Sequence, residues 1–113
     1  MEDNTVTEGK TIAIISYITF IGLIIAFVMN NEKKNSFASF HIRQSLGLVA
    51  LYIALWIVMI VINMIVSLPF LSTILYLGLL VFWVLGLIAA IQGQQKAIPV
   101  FGEQFQKWFK NIG

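Results

Sequence analysis

The chain has 113 residues, 59% hydrophobic and 11% charged, with seven Lys or Arg against five Asp or Glu and no cysteine. That length allows one domain at most, and so few charges cannot cover a water-soluble domain, which needs about a quarter of its residues charged. Disulfides, thiolate catalysis and cysteine metal sites are excluded, and the net charge of +2 comes from lysines and one arginine placed beside apolar runs rather than in a nucleic-acid patch.

No Asp, Glu, Lys, Arg or His occurs from Thr11 to Met29, from Leu46 to Val66 or from Pro69 to Ile91. Uncharged runs of roughly 20 residues match the bilayer core at helical rise, and only helices or closed barrels satisfy their backbone there. The expected fold class is therefore an all-α integral membrane protein, a single membrane domain over 1–113. It has three transmembrane helices and a C-terminal amphipathic interfacial helix.

Residues 1–10 form an expected external tail. It carries Glu2, Asp3 and Glu8 against Lys10, the wrong sign for a signal peptide, and no cleavage site follows Met29, so the first span at 11–29 is expected to stay. Residues 30–36 make a short polar loop in which Asn35 or Ser36 caps the next helix. From 37 to 66 the sequence holds no proline and one glycine, which suits one helix of about 45 Å, longer than the hydrocarbon core. Its surplus is the polar opening that contains His41 and Arg43, the sole histidine and arginine of the chain.

An uncharged turn at 67–70 leads into a third span at 71–91, antiparallel to the second. Gln92 to Ala97, then Pro99 and Gly102, punctuate the chain again. Over 98–112, Phe101, Phe105, Trp108 and Phe109 recur at helical spacing opposite lysines, so they are the expected interfacial anchors. Packing of this face beneath the protein's own helices is the alternative.

Lys33, Lys34, Arg43, Lys96, Lys107 and Lys110 fall on one side of that topology and Lys10 on the other. The positive-inside rule then places the loop and C-terminus in the cytoplasm and the N-terminus outside, in the cytoplasmic membrane. Anionic headgroups are the expected partners, together with a homo-oligomer or other membrane proteins, and no nucleic acid.

The chain lacks the parts of an enzyme. Its five carboxylates and one histidine form no H-E-x-x-H, carboxylate pair or nucleophile–base spacing, so no catalytic residue, metal or cofactor is expected. Two features remain. His41, Arg43, Gln44 and Ser45 share a membrane face with Lys96, Pro99 and Gly102, a candidate polar cluster. Its plainest reading is a snorkelling anchor that sets helix depth. Below Arg43, the small residues Gly47, Ala50 and Ala54 make a candidate helix-packing seam, with Gly22, Ala26, Gly86 and Ala90 as matching patches on the other spans.

The Phe40-His41-x-Arg43-Gln44-Ser45 motif, followed by Gly93-x-x-Lys96-x-x-Pro99-x-x-Gly102, resembles small bacterial membrane proteins related to the core inner-envelope subunit of the chloroplast import translocon. The resemblance runs from about Thr11 to Glu103 and implies an integral membrane protein tied to protein translocation. Relatives in magnetosome membranes are associated instead with crystal maturation. The expected function is a non-catalytic subunit or accessory of a transport or membrane-organising complex, with a pore-forming homo-oligomer as the alternative.

Overall fold

The computed structural model describes residues 2–112, with side chains from Thr5 onward, so Met1 and the Glu2 and Asp3 side chains of the expected tail lie outside it. Five helices follow in order: α1 (Glu2–Ile15), α2 (Phe20–Lys33), α3 (Ser36–Ile65), α4 (Pro69–Ile91) and α5 (Gly102–Trp108). The molecule is elongated, 54 × 23 × 22 Å. Two of its helices, α3 and α4, are long and apolar enough to cross a membrane, and little of the most apolar 18-residue stretch of either is buried.

The apolar run 11–29 is not one helix, and this corrects the expected first span. α1 ends at Ile15 and α2 starts at Phe20. The cause is local: Ser16, Tyr17 and Thr19 place three hydroxyls in four positions, and two of them compete with the helical ladder. Ser16 Oγ donates to the Ala13 carbonyl at 2.6 Å. Thr19 is extended, and its Oγ1 accepts from the Gly22 N–H at 3.0 Å, capping α2. Two carbonyls of the turn find donors on the long helices. Ser45 Oγ donates to the Ser16 carbonyl, and Trp83 Nε1 donates to the Tyr17 carbonyl at 2.6 Å. Non-helical backbone at membrane depth persists only with such internal partners.

α1 and α2 thus form a helical hairpin whose open ends meet at one end of the molecule. Asn35 Nδ2 donates to the Thr5 carbonyl at 2.8 Å, and a Cβ on Gly93 would lie 2.9 Å from Val6. The N-terminal segment therefore lies beside the 30–36 loop rather than across the molecule from it. That loop is held tightly. Lys34 is left-handed at φ 49°, Asn35 Oδ1 caps α3 by accepting from the Ala38 N–H, and Asn30 bonds the Asn35 backbone and Ser39 Oγ.

α3 is a single helix of 30 residues with two unlike halves. From Phe37 to Leu48 most of its side chains are buried, whereas beyond Leu48 only Met59 is. The core is built around the first half, in two groups. Ile12, Leu23, Ala26, Ala38 and Ile42 join α1, α2 and α3. Ala13, Tyr17, Phe37, Leu48, Ala90, Ile98 and Phe105 join α1, α3, α4 and the C-terminal segment. The rest of α3 and α4 forms a bare apolar shaft, with Ile57, Met64, Phe70 and Leu77 among its exposed side chains.

Pro69 opens α4 at its first turn, where its missing N–H costs nothing. α4 closes in a Schellman motif: Gly93 takes φ 73°, Gln94 N–H donates to the Ala89 carbonyl and Gly93 N–H to that of Ala90. α5 is seven residues long, shorter than the 98–112 helix expected. Phe105 is 2% exposed and fills the space above Gly47, so it is a core residue rather than a lipid anchor. Phe101 and Phe109 are half-buried, and of the four expected anchors only Trp108 is fully exposed.

The expected seam is also redrawn. Gly47 is covered by Phe105, but Ala50 and Ala54 are exposed, because α5 is too short to reach them. Gly22, Ala26, Gly86 and Ala90 are all buried, though against other partners: Gly22 meets the Ile15 carbonyl and Gly86 the Tyr17 ring. A Cβ on Gly86 would approach Tyr17 to 2.7 Å, whereas one on Gly78 meets nothing within 4 Å. Overpacking a filled site costs about 1–3 kcal/mol. Gly86→Leu is therefore expected to lower the thermal midpoint in detergent clearly, with Gly78→Leu unchanged, as read by circular dichroism; equal midpoints would contradict the seating of Tyr17.

Candidate functional site: a buried polar network at the capped end

Polar side chains from two separate stretches, and backbone groups from a third, converge where the hairpin turn meets α3 and the loop after α4. Tyr17 comes from the turn, His41 and Gln44 lie one helical turn apart on α3, and the loop 94–98 offers backbone groups. All three side chains are almost completely buried. His41 Nε2 lies 2.8 Å from the Gln94 carbonyl and Nδ1 lies 2.7 Å from the Tyr17 hydroxyl. Gln44 Nε2 donates to the same hydroxyl at 2.8 Å, and Gln44 Oε1 accepts from the Ile98 N–H at 2.8 Å. A longer contact of 3.4 Å runs from Gln44 Nε2 to the Lys96 carbonyl.

Donor and acceptor bookkeeping assigns the hydrogens. A carbonyl only accepts, so Nε2 of His41 carries its hydrogen and donates to Gln94. Nδ1 then accepts from the Tyr17 hydroxyl, whose oxygen accepts from Gln44. Neutral imidazole leaves every member satisfied, and no buried side-chain nitrogen or oxygen among the described residues lacks a partner. Around this chain of bonds, Phe37, Phe40 and Tyr17 meet the imidazole edge-on, with ring centroids 4.8, 5.1 and 5.5 Å away.

His41 is thus not a headgroup anchor, as its place at the mouth of a span suggested, but a wholly enclosed ring. The expected cluster holds in part of its membership. His41 and Gln44 reach the loop, and Ser45 bonds the Ser16 carbonyl of the turn. Lys96 contributes a carbonyl while its side chain is exposed, Pro99 is exposed, and Gly102 is buried against Ala97. Arg43 stands apart on another face of α3. Its Nε donates to the Ile112 carbonyl at 2.9 Å and Nη2 to the Lys110 carbonyl at 3.0 Å, which ties the chain's last turn to α3.

Tyr17 is the member that sequence reasoning passed over as one more polar residue in a span. The available signal was the crowding of Ser16, Tyr17 and Thr19 in the middle of an apolar run, which also marks the break. The backbone partners, Gln94 and Ile98, carry no side-chain signature. No group of three or more His, Cys, Asp or Glu able to hold a metal exists among the described residues. The network is a clamp that joins the hairpin turn, α3 and the loop after α4.

The magnetosome magnetite crystal formation protein family matches residues 8–105, the stretch that contains the hairpin, both long helices and all three network side chains. The chain belongs to this family. It is 25% identical over 82 residues to a UPF0132 membrane protein of Methanocaldococcus jannaschii, covering 72% of this chain and 56% of that protein. The chain thus spans a little over half the length of that relative. No solved structure matches it.

Family membership corrects the resemblance drawn from the two motifs: the chain is not a relative of the chloroplast import translocon, and the import reading falls with it. The motifs mark the clamp, His41 and Gln44 on one side and the loop after Gly93 on the other. The protein is a small, multi-pass membrane protein of the magnetosome magnetite crystal formation family.

Removing the Tyr17 hydroxyl strips His41 Nδ1 of its donor and Gln44 of an acceptor, and an unmet buried polar group costs about 1–3 kcal/mol. Tyr17→Phe should therefore destabilise the protein measurably in thermal unfolding. Tyr52→Phe, outside the network on the exposed shaft, should not. A Tyr17→Phe protein as stable as the wild type would show that the clamp contributes nothing.

Proposed function

We propose that this protein is a membrane-embedded accessory of magnetite crystal formation, acting by assembly within the membrane around the crystal rather than by catalysis. The family match over residues 8–105 carries the reading. In support, the fold has a bare apolar shaft for the bilayer and a capped end held by hydrogen bonds.

The proposed topology has two full spans, α3 and α4, and an α1–α2 hairpin that enters the near leaflet and returns. Helical rise over residues 46–66 gives about 30 Å, one hydrocarbon thickness, which leaves the first ten residues of α3 in the capped end. Exposed Phe20, Ile21, Ile24 and Val28 on α2 support contact with lipid on the outer side of the hairpin. With the N-terminal segment beside the 30–36 loop, all seven cations fall at one end and the α3–α4 turn carries none. The positive-inside rule then puts both termini in the cytoplasm, against the external N-terminus expected from three spans.

Two experiments test these proposals. The chain has no cysteine, so single substitutions report sidedness directly. With a membrane-impermeant thiol reagent, Thr7→Cys, Asn31→Cys and Gln104→Cys should label from the cytoplasmic side and Ser67→Cys from the opposite side. Labelling of Thr7→Cys together with Ser67→Cys would restore a third span. For the function, supplying the gene to a magnetite-forming bacterium deleted for its own family members should restore crystal size in electron micrographs, and Tyr17→Phe should restore it less well. Crystals unchanged by the wild-type protein would overturn the reading.

A further inference from the structure

Arg43 does more than hold the tail. Its Nε and Nη2 hydrogens, the side fork of the guanidinium, are taken by the Ile112 and Lys110 carbonyls. Nη1 makes no hydrogen bond among the described residues, so the end-on Nη1/Nη2 fork stays open, on a side chain whose orientation those two carbonyls fix. Such a fork matches two oxygens of a phosphate. Neither carbonyl carries a formal charge, and among the described residues no carboxylate pairs with Arg43.

Directly beside it runs a groove of about 270 Å³ between α2, α3 and the chain end, lined by Leu23, Phe27, Ile42, Leu46 and Ile112 among others. The connection is direct, because Ile112 lines the groove with its side chain and receives Arg43 with its carbonyl. Ile42 and Leu46 flank Arg43 on α3 itself. Every residue of the lining is apolar, so a polar or charged peptide is a poor occupant. Lys110, whose backbone Arg43 holds, is a second, exposed cation of the same chain turn.

We infer that this is a binding site for one anionic phospholipid of the near leaflet, its phosphate on the open fork of Arg43 and an acyl chain in the α2–α3 groove. The site orders the lipid at the joint between hairpin, long helix and tail, so the lipid reinforces the contact that Arg43 makes. The inference rests on the membrane-embedded topology proposed above.

The protein purified in mild detergent from membranes containing phosphatidylglycerol and phosphatidylcholine is read by native mass spectrometry. One phosphatidylglycerol per chain should be retained. Arg43→Gln, which removes the fork, and Leu46→Trp, which fills the groove and leaves Arg43 in place, should each lower that occupancy about tenfold, the scale of one charge-assisted hydrogen bond. Retention equal in all three proteins, or phosphatidylcholine held as well as phosphatidylglycerol, overturns the site. Full retention in Leu46→Trp alone overturns the groove as the seat of the chain. Protein that stays in carbonate-washed membranes yet holds no lipid sinks this inference only, whereas protein released by carbonate sinks the membrane topology first.

Discussion

The hydroxyl of Tyr17 is the point on which the capped end turns. It gives its hydrogen to His41 and takes one from Gln44, and those two side chains in turn hold the Gln94 carbonyl and the Ile98 N–H. One oxygen therefore joins the hairpin turn, the long helix and the loop that leads into α5. In a low-dielectric surrounding each of these bonds is strong and each missing partner is costly, so the set behaves as a unit. Loss of one member leaves the others unpaired. That is why a chain so rich in interchangeable aliphatic residues has one arrangement at this end.

The clamp also explains how a turn survives in the middle of an apolar run. A break in a helix frees carbonyls, and lipid offers them nothing. Here Ser45 and Trp83, one on each long helix, supply the donors. Gly86 makes room for the Tyr17 ring against α4, and the Schellman turn at Gly93 presents the Gln94 carbonyl at the right place for His41. Helix ends and turn chemistry thus do the positioning, with apolar packing filling the space between.

Much of this architecture was legible in the sequence. The two long helices, a cap at Asn35 or Ser36 and the break at Pro69 follow from hydropathy, capping chemistry and proline geometry; the structure has the helices and the break, and puts the cap on Asn35. Hydropathy failed at residues 11–29 because it sums apolarity and is blind to three hydroxyls that redirect the backbone. The same blindness put His41 at the membrane surface. A histidine beside a span usually snorkels, and here the hairpin turn and the loop after α4 close over it. Phe105 misled in a similar way. An aromatic face on a short helix suits lipid and a glycine socket equally, and the presence of Gly47 one layer away decided between them. Periodicity puts Ala50 and Ala54 on the face of Gly47 but says nothing about how far a partner helix extends.

The division between a clamped end and a bare shaft has a consequence for how such a protein acts. Polar bonds hold the cap in one geometry, while the shaft of α3 and α4 beyond Leu48 has only its own two-helix contact and an exterior of Ile, Leu, Val and aromatic side chains. A two-helix shaft gains no hydrophobic stabilisation from lipid contact, since lipid tails are as apolar as leucine; association there comes from close packing of small residues. Ala50 and Ala54 are exposed on it, and a Cβ built on Gly78 meets nothing within 4 Å. Rigidity and charge thus sit at one end and adaptable apolar surface at the other. A protein built this way presents one fixed geometry at its polar end and an adaptable packing surface along its shaft.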